Sequence, residues 1–169
     1  PARRTSTAAT EQRYADAEEP LILICVLKGS AFFAMDLARC VDLPLTIEFL
    51  GVSSYHGGTE TTGEVRVTTD VSKPMAGKHL LVIEDIIDTG LTMSFLLENL
   101  RARHPASVKV CSLLEKPSRA RTQVPIDYKG FVIDDVFVVG YGLDYAERYR
   151  NLPCIGVLKP HLQNPPEWA

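Results

Sequence analysis

The chain has 169 residues, a length typical of one domain, and its 46% hydrophobic and 23% charged residues argue against a disordered chain. Its formal net charge is -3, so no overall positive field indicates a nucleic-acid partner. No apolar run approaches the roughly 20 residues that span a bilayer, and we therefore expect no membrane partner.

The cysteine pattern is that of a reducing compartment. None of the four cysteines belongs to a C-x-x-C pair, and most lie in apolar runs: Cys25, Cys40, Cys111 and Cys154. This is typical of buried thiols rather than of disulfides or metal ligands. No basic-then-apolar leader is present either, so we expect a cytoplasmic protein.

The first predicted unit is a strand followed by a helix. Residues 1–19 are polar and contain one weak helical pattern over residues 7–14. The continuous apolar run 21–27 predicts a strand that is buried on both faces. After a turn at Lys28, apolar residues recur at helical spacing, with Ser30 as a candidate N-cap. This predicted helix face consists of Phe33, Leu37, Cys40 and Val41.

The second unit is a strand over residues 45–52 that leads into a long polar loop. Residues 53–66 are small, polar and rich in glycine, and a short strand over 65–69 is predicted to follow. Loops of this length within a compact domain are usually lids or binding loops. We therefore expect residues 53–66 to form a flexible lid.

The stretch from Leu80 to Thr92 has the strongest pattern in the chain. It predicts a buried strand, acidic residues where the strand ends, a tight loop and the start of a helix. Ligands of open α/β sheets bind at the carboxyl ends of the strands. A helix N-terminus with free N–H groups suits a phosphate, and carboxylates before it suit a magnesium ion or a ribose diol.

Further apolar runs over residues 108–114, 131–133, 136–139 and 155–158 predict additional strands. Alternating strands and helices indicate a single α/β domain with a mainly parallel sheet. The loops that follow the first strand, the central strand and two of the later strands carry Lys28, Asp88, Lys116 and Asp144, which we expect to converge on one rim of the sheet. The sequence contains no P-loop, no G-x-G-x-x-G turn and no G-x-S-x-G elbow, which excludes the sites that those motifs build.

Four ordered segments resemble one known family. The stretch from Leu80 to Thr92 is similar to the signature of the type I phosphoribosyltransferases. Residues 27–30, residues 53–55 and residues 137–145 resemble the 6-oxopurine branch of that family, and the match covers about residues 21–159. The resemblance implies one domain over residues 1–169, with a central sheet flanked by helices. It also implies a small hood subdomain built from N-terminal residues and from about 130–169.

The resemblance also implies a reaction. A 6-oxopurine, hypoxanthine or guanine, would displace pyrophosphate from phosphoribosyl pyrophosphate (PRPP) with Mg²⁺, giving IMP or GMP. Asp88 would contact the purine N7 and act as general base or acid there; its alternative role is to cap the following helix. Relatives of this kind are dimers or tetramers, so a homodimer or homotetramer is expected.

The remaining site residues follow from the same resemblance. The 5′-phosphate would bind to Asp88, Thr89, Gly90, Leu91 and Thr92, and many relatives have a lysine where this chain has Leu91. Pyrophosphate would bind to Lys28, Gly29 and Arg150, and the peptide bond before Lys28 is often cis in the family. Glu84 and Asp85 would lie beside the ribose, and the metal ligands would be Glu84, Asp85 and Asp144.

The purine site and the lid complete the set. Lys116 would donate to the purine O6, Phe137 would stack on the ring, the Val138 backbone would meet the opposite edge, and Asp144 would lie nearby. Ser54 and Tyr55 would belong to the lid. Two alternatives stay open: an enzyme that prefers xanthine, and a regulatory protein of this fold that senses PRPP and binds nucleic acid.

Overall fold

The structure is a computed structural model that describes residues 20–54 and 65–162. Six strands form one sheet in the order β3-β2-β1-β4-β5-β6, and only β3 runs antiparallel to its neighbour. These strands are β1 (Leu21–Leu27), β2 (Leu45–Ser54), β3 (Val65–Thr69), β4 (His79–Ile87), β5 (Ser107–Glu115) and β6 (Tyr128–Val132). The predicted α/β fold with a mainly parallel sheet is thereby confirmed.

Several predictions fall outside the described residues. They are the weak helix over residues 7–14, the N-terminal part of the hood, Tyr55 and most of the predicted lid, and the tail after residue 162. The extent of the domain over residues 1–169 likewise stays a prediction.

Two helices cover opposite faces of the sheet: α1 (Ala31–Ala38) and α2 (Leu91–Arg101). Successive side chains of a strand point to opposite faces, and β1 shows this directly. Leu21, Leu23 and Cys25 pack in the cluster that contains the buried face of α1, whereas alternate residues of β1 pack in the cluster that contains α2. Burial on both faces is why β1 is apolar at every position.

This arrangement places a topological switch point between β1 and β4, which are neighbours in the sheet. The chain leaves β1 toward one face, where α1 packs, and leaves β4 toward the other, where α2 packs. The two connections separate at the carboxyl ends of these strands and open a crevice there.

Strand β4 is longer than predicted. It continues to Ile87, because its pairing with β5 extends to the Ile87–Glu115 register. Glu84 and Asp85 therefore lie within the strand and not beyond its end, which corrects the predicted boundary. The helix face after the loop is confirmed: Met93, Leu96, Leu97 and Leu100 are all buried.

Two predicted strands, over residues 136–139 and 155–158, do not join the main sheet, although Asp144, which lies between them, lines the same cavity as Lys28. Val138–Val139 (β7) and Gly156–Val157 (β8) form a separate antiparallel pair. These two strands pair with each other and with no strand of the main sheet. Strand β6 begins at Tyr128, before the predicted apolar run 131–133, and adds to the main sheet.

Two local expectations also need correction. Cys25 and Cys111 are buried and form no disulfide, but Cys40 and Cys154 are exposed, because Cys40 follows the end of α1 and Cys154 precedes β8. Ser30 occupies the N-cap position of α1 without a side-chain cap, since its hydroxyl donates to the Val26 carbonyl at 2.7 Å. Within the described residues, we find no helix with the length and apolarity needed to cross a membrane.

Candidate active site

A cavity of about 620 Å³ opens at the carboxyl ends of β1 and β4. It brings together most of the predicted phosphate, pyrophosphate and metal-binding residues. These lining residues are Lys28, Gly29, Glu84, Asp85, Asp88, Thr89, Gly90, Thr92, Asp144 and Arg150. Glu147, which the sequence did not indicate, lines the same cavity.

Two adjacent carboxylates, Glu84 and Asp85, form the acidic part of the cavity. The pKa of Glu84 is raised well above its ordinary value, first by burial and then by the neighbouring charge of Asp85. Burial also raises the pKa of Asp85, against the hydrogen bonds that favour its charged form. An acidic pair of this kind is stabilised by a cation or by hydroxyl donors.

The turn after β1 lies directly against Asp85. The peptide bond between Leu27 and Lys28 is cis, as the resemblance implied. A Cβ on Gly29 would come within 1.6 Å of the Asp85 carboxylate oxygen Oδ2, so no side chain fits at this position. Glycine at residue 29 therefore lets the turn and the acidic pair approach each other closely.

The loop after β4 ends in a helix N-terminus that faces the cavity. Gly90, the N-cap residue of α2, has φ +79° and provides no side-chain cap. The first N–H groups of a helix have no intrahelical acceptor, so those of α2 are available to an anion. The loop is supported from outside, since the N–H groups of Arg121 and Thr122 donate to the Thr89 carbonyl at 2.9 and 3.1 Å.

Asp88 has a partner that the sequence did not indicate. Arg119 Nε donates to Asp88 Oδ1 at 3.0 Å, and the Arg119 guanidinium also lies 3.7 Å from Asp135. The carboxylates of Asp88 and Asp135 raise the pKa of Arg119. Lys116 Nζ lies 3.8 Å from the other oxygen of Asp135.

Lys28 and Arg150 both line the cavity and share one carboxylate, that of Glu147, while Arg150 also pairs with Asp144. Arg150 Nη2 lies 2.8 Å from Asp144 Oδ1 and 3.4 Å from Glu147 Oε2, while Lys28 Nζ lies 3.1 Å from the same Glu147 oxygen. The bond from Lys28 holds the pKa of Glu147 below its usual range. The positive side chains are thus already gathered around an anion.

A model of the phosphoribosyl transferase domain matches residues 3–146 of the chain. The chain belongs to the phosphoribosyltransferase family.

Curated relatives agree with that assignment. The hypoxanthine-guanine phosphoribosyltransferase of Mycobacterium avium is 49% identical to this phosphoribosyltransferase over 148 residues, which cover 88% of this chain and 73% of the relative. The enzyme of the same name from Staphylococcus aureus (strain Mu50 / ATCC 700699) is 49% identical over 144 residues, covering 85% and 80%.

Solved structures of related proteins are also similar. A hypoxanthine phosphoribosyltransferase from Staphylococcus aureus superposes with a TM-score of 0.90 at 44% identity, covering 97% of this chain and 88% of that one. The hypoxanthine phosphoribosyltransferase from Trypanosoma cruzi in complex with the product IMP gives 0.88 at 38% identity, covering 95% and 89%.

Three of the predicted purine residues of this phosphoribosyltransferase do not line the large cavity, whereas Asp144 and Asp88 do. Lys116 is buried and lines a neighbouring cavity of about 300 Å³, which shares Ile87 and Asp88 with the larger one. Phe137 is 45% exposed and packs edge-on against Tyr145 at 5.6 Å, outside both cavities. Val138 belongs to β7 and also lies outside them.

Leu91 and Ser54 lie at element ends. Leu91 is the first residue of α2 and does not line the large cavity, so its part in phosphate binding stays a prediction. Ser54 is the last residue of β2.

Sequence reasoning missed Arg119 and Glu147. Arg119 stands three residues after Lys116, and Glu147 stands between Asp144 and Arg150, so both fall within segments that were singled out. The spacing of residues around Arg119 and Glu147 does not predict that the chain folds back and brings their side chains to the cavity residues. Glu147 is directed to Lys28, 119 residues away in sequence, by an irregular loop.

Proposed function

We propose that this phosphoribosyltransferase acts in purine salvage and transfers the 5-phosphoribosyl group of PRPP to hypoxanthine or guanine. The products are IMP or GMP and pyrophosphate. One observation carries the proposal: a single cavity at the β1–β4 switch point combines an acidic pair, a helix N-terminus and two cationic side chains. A sugar that carries phosphates at two positions needs that combination.

We assign the 5′-phosphate to the loop from Asp88 to Thr92. The N–H groups at the start of α2 bind it, and Gly90 keeps the backbone accessible. The ribose lies over Glu84 and Asp85, whose pKa values are raised chiefly by burial. Lys28, Gly29 and Arg150 bind the pyrophosphate.

The base lies on the opposite side of the sugar from the pyrophosphate. Asp88 exchanges a proton with the purine N7, Lys116 donates to O6, Phe137 stacks on the ring, and the Val138 backbone meets the other edge. Asp88 and Lys116 line one cavity, which supports roles for them at neighbouring atoms of one base. Because a 6-amino group would leave the Lys116 donor unpaired, 6-oxopurines are preferred.

Magnesium fits this site as an ion carried by the substrate. Within residues 20–54 and 65–162, no three His, Cys, Asp or Glu side chains are arranged to hold a metal. Mg²⁺ is commonly bound through one or two carboxylates together with substrate phosphates, which Glu84 and Asp85 satisfy, with Asp144 at the pyrophosphate side. The ion, when bound, neutralises charge that develops on the leaving pyrophosphate.

We also propose a cytoplasmic homodimer or homotetramer. The cysteines form no disulfide among the described residues, which suits a reducing compartment. The relative from Trypanosoma cruzi has been studied for the role of its C-terminal region in its oligomeric state.

The decisive experiment compares initial rates with hypoxanthine, guanine, xanthine and adenine, with PRPP and Mg²⁺ present. We expect turnover of hypoxanthine and guanine and a fall of about 100-fold in kcat for Asp88→Asn. No turnover of any 6-oxopurine would contradict the proposed function, and preference for xanthine would change the substrate. An Asp88→Asn variant with full activity would remove only the proton-transfer role.

A further inference from the structure

Glu147 occupies the position between the two cationic side chains that we assign to pyrophosphate. A single oxygen, Oε2, lies 3.1 Å from Lys28 Nζ and 3.4 Å from Arg150 Nη2. Two cations that meet at one carboxylate oxygen have the arrangement with which they would bind a phosphate oxygen. The Glu147 carboxylate therefore stands in for the anion that the subsite binds.

The loop holds Glu147 in this position. Its N–H donates to Asp144 Oδ2 at 2.8 Å, and the other oxygen of Asp144 pairs with Arg150 at 2.8 Å. Arg150 is fixed in turn by a 2.8 Å bond from Nη1 to the Gly142 carbonyl. Glu147 itself has φ +64°, a conformation that side chains adopt only when their surroundings require it.

We propose that Glu147 is a tethered counter-ion that pyrophosphate displaces, and that it sets the affinity of this subsite for PRPP and for the pyrophosphate product. In the free protein it holds Lys28 and Arg150 together and offsets their repulsion. When the diphosphate binds, it takes over both cations and the carboxylate withdraws. The inference rests on the proposed function, which assigns Lys28 and Arg150 to pyrophosphate.

The exposure of the groups makes this exchange possible. The side chains of Lys28 and Glu147 are 66% and 65% exposed, and exposed ion pairs of this kind are weak. A diphosphate carries several charges and makes shorter, stronger charge-assisted bonds, so it displaces the Glu147 carboxylate from Lys28 and Arg150. The tethered carboxylate then speeds product release, because it returns to the cations as pyrophosphate leaves.

The test is binding of inorganic pyrophosphate to the whole protein by calorimetry, with and without Mg²⁺. Glu147→Gln keeps the size of the side chain and removes its charge. We expect this variant to bind pyrophosphate about threefold to tenfold more tightly than the parent. We also expect stronger product inhibition by pyrophosphate and a lower KM for PRPP. Glu98→Gln removes the same charge from an exposed position on α2 and should bind like the parent.

Unchanged or weaker pyrophosphate binding by Glu147→Gln would overturn the inference. If that variant does not fold, Glu147→Asn replaces it, since Asn tolerates the left-handed conformation. The two proposals fail separately. A parent protein without transferase activity refutes the proposed function, whereas an active parent whose Glu147→Gln variant shows no gain in binding refutes only the counter-ion role.

Discussion

Asp88 and Arg119 form an ion pair in which only one carboxylate oxygen, Oδ1, accepts the guanidinium N–H. The second oxygen is available for the contact with the purine N7 that we propose. Arg119 lies at the end of a one-turn 3-10 helix, Pro117–Arg119, which immediately follows Lys116. One short segment therefore carries both Lys116, which would donate to the purine O6, and Arg119, which holds the Asp88 carboxylate.

Replacing Arg119 should affect turnover more than substrate binding. In Arg119→Met the Asp88 carboxylate loses the bond that fixes its orientation, and we expect kcat to fall about twofold to fivefold, with little change in KM for PRPP. Arg119→Lys, which restores a cation, should recover part of the loss. Steady-state kinetics on the purified variants measures both constants.

Arg121 provides the matched control, because it is exposed and lies two residues further along the chain. Arg121→Met should leave kcat unchanged. Equal losses in the two variants would show that net charge, and not the bond to Asp88, is responsible.

At the scale of elements, the loop from Asp88 to Thr92 is held in place by the segment that follows β5. This segment packs so closely that a Cβ on Gly90 would lie 2.3 Å from the Thr122 carbonyl oxygen. The backbone at Lys116 is fixed as well, by a 2.9 Å bond from its N–H to the Ile87 carbonyl. The ends of β4 and β5 therefore form one rigid support for the loop.

Two glycine substitutions distinguish the effect of this packing on stability from the effect of backbone strain. Gly90 and Gly77 have similar positive φ angles, +79° and +73°, but a Cβ on Gly77 meets nothing within 4 Å. Both Ala variants should lose about 1 kcal/mol from the left-handed conformation. Gly90→Ala should lose a further 1–3 kcal/mol or so from the clash, and its KM for PRPP should rise.

Urea denaturation measures the free energies of unfolding of both variants. Losses of equal size at the two positions would show that the contact with Thr122 does not matter. A normal KM for PRPP in Gly90→Ala would count against the phosphate role of the loop.

At the scale of the whole molecule, the buried acidic pair of Glu84 and Asp85 lowers the stability of the free protein when it is ionised. The raised pKa of Glu84 means that the fold favours its protonated form. The corresponding stability is complete below the ordinary carboxyl pKa near 4.5 and is lost as the pH rises through the raised value. The free protein should therefore become less stable toward alkaline pH.

Glu84→Gln should remove this loss. At pH 8 we expect the variant to unfold about 2–4 °C higher than the parent, equivalent to roughly 1 kcal/mol, and the difference should vanish at about pH 4. Thermal unfolding followed by circular dichroism across this range provides the measurement. Glu98→Gln should show no such pH-dependent gain in stability. A Glu84→Gln variant that is less stable than the parent at pH 8 would contradict the destabilisation by ionised Glu84.

The sequence by itself determined the fold class and most of the cavity. Strand β1 was predictable because burial on both faces makes every residue apolar, and α2 because its buried positions recur at helical spacing. Parallel strands direct their carboxyl ends to one edge, so the sequence predicts that Lys28 and Asp88 lie at the same edge.

Only the tertiary structure decided what surrounds those residues. It extended β4 through Glu84 and Asp85, since strand length depends on pairing with β5. It paired Arg119 with Asp88 and Glu147 with Lys28, contacts between residues 31 and 119 positions apart. Periodicity describes which face of an element is buried, but irregular loops place their side chains through backbone angles and long-range contacts that no local pattern encodes.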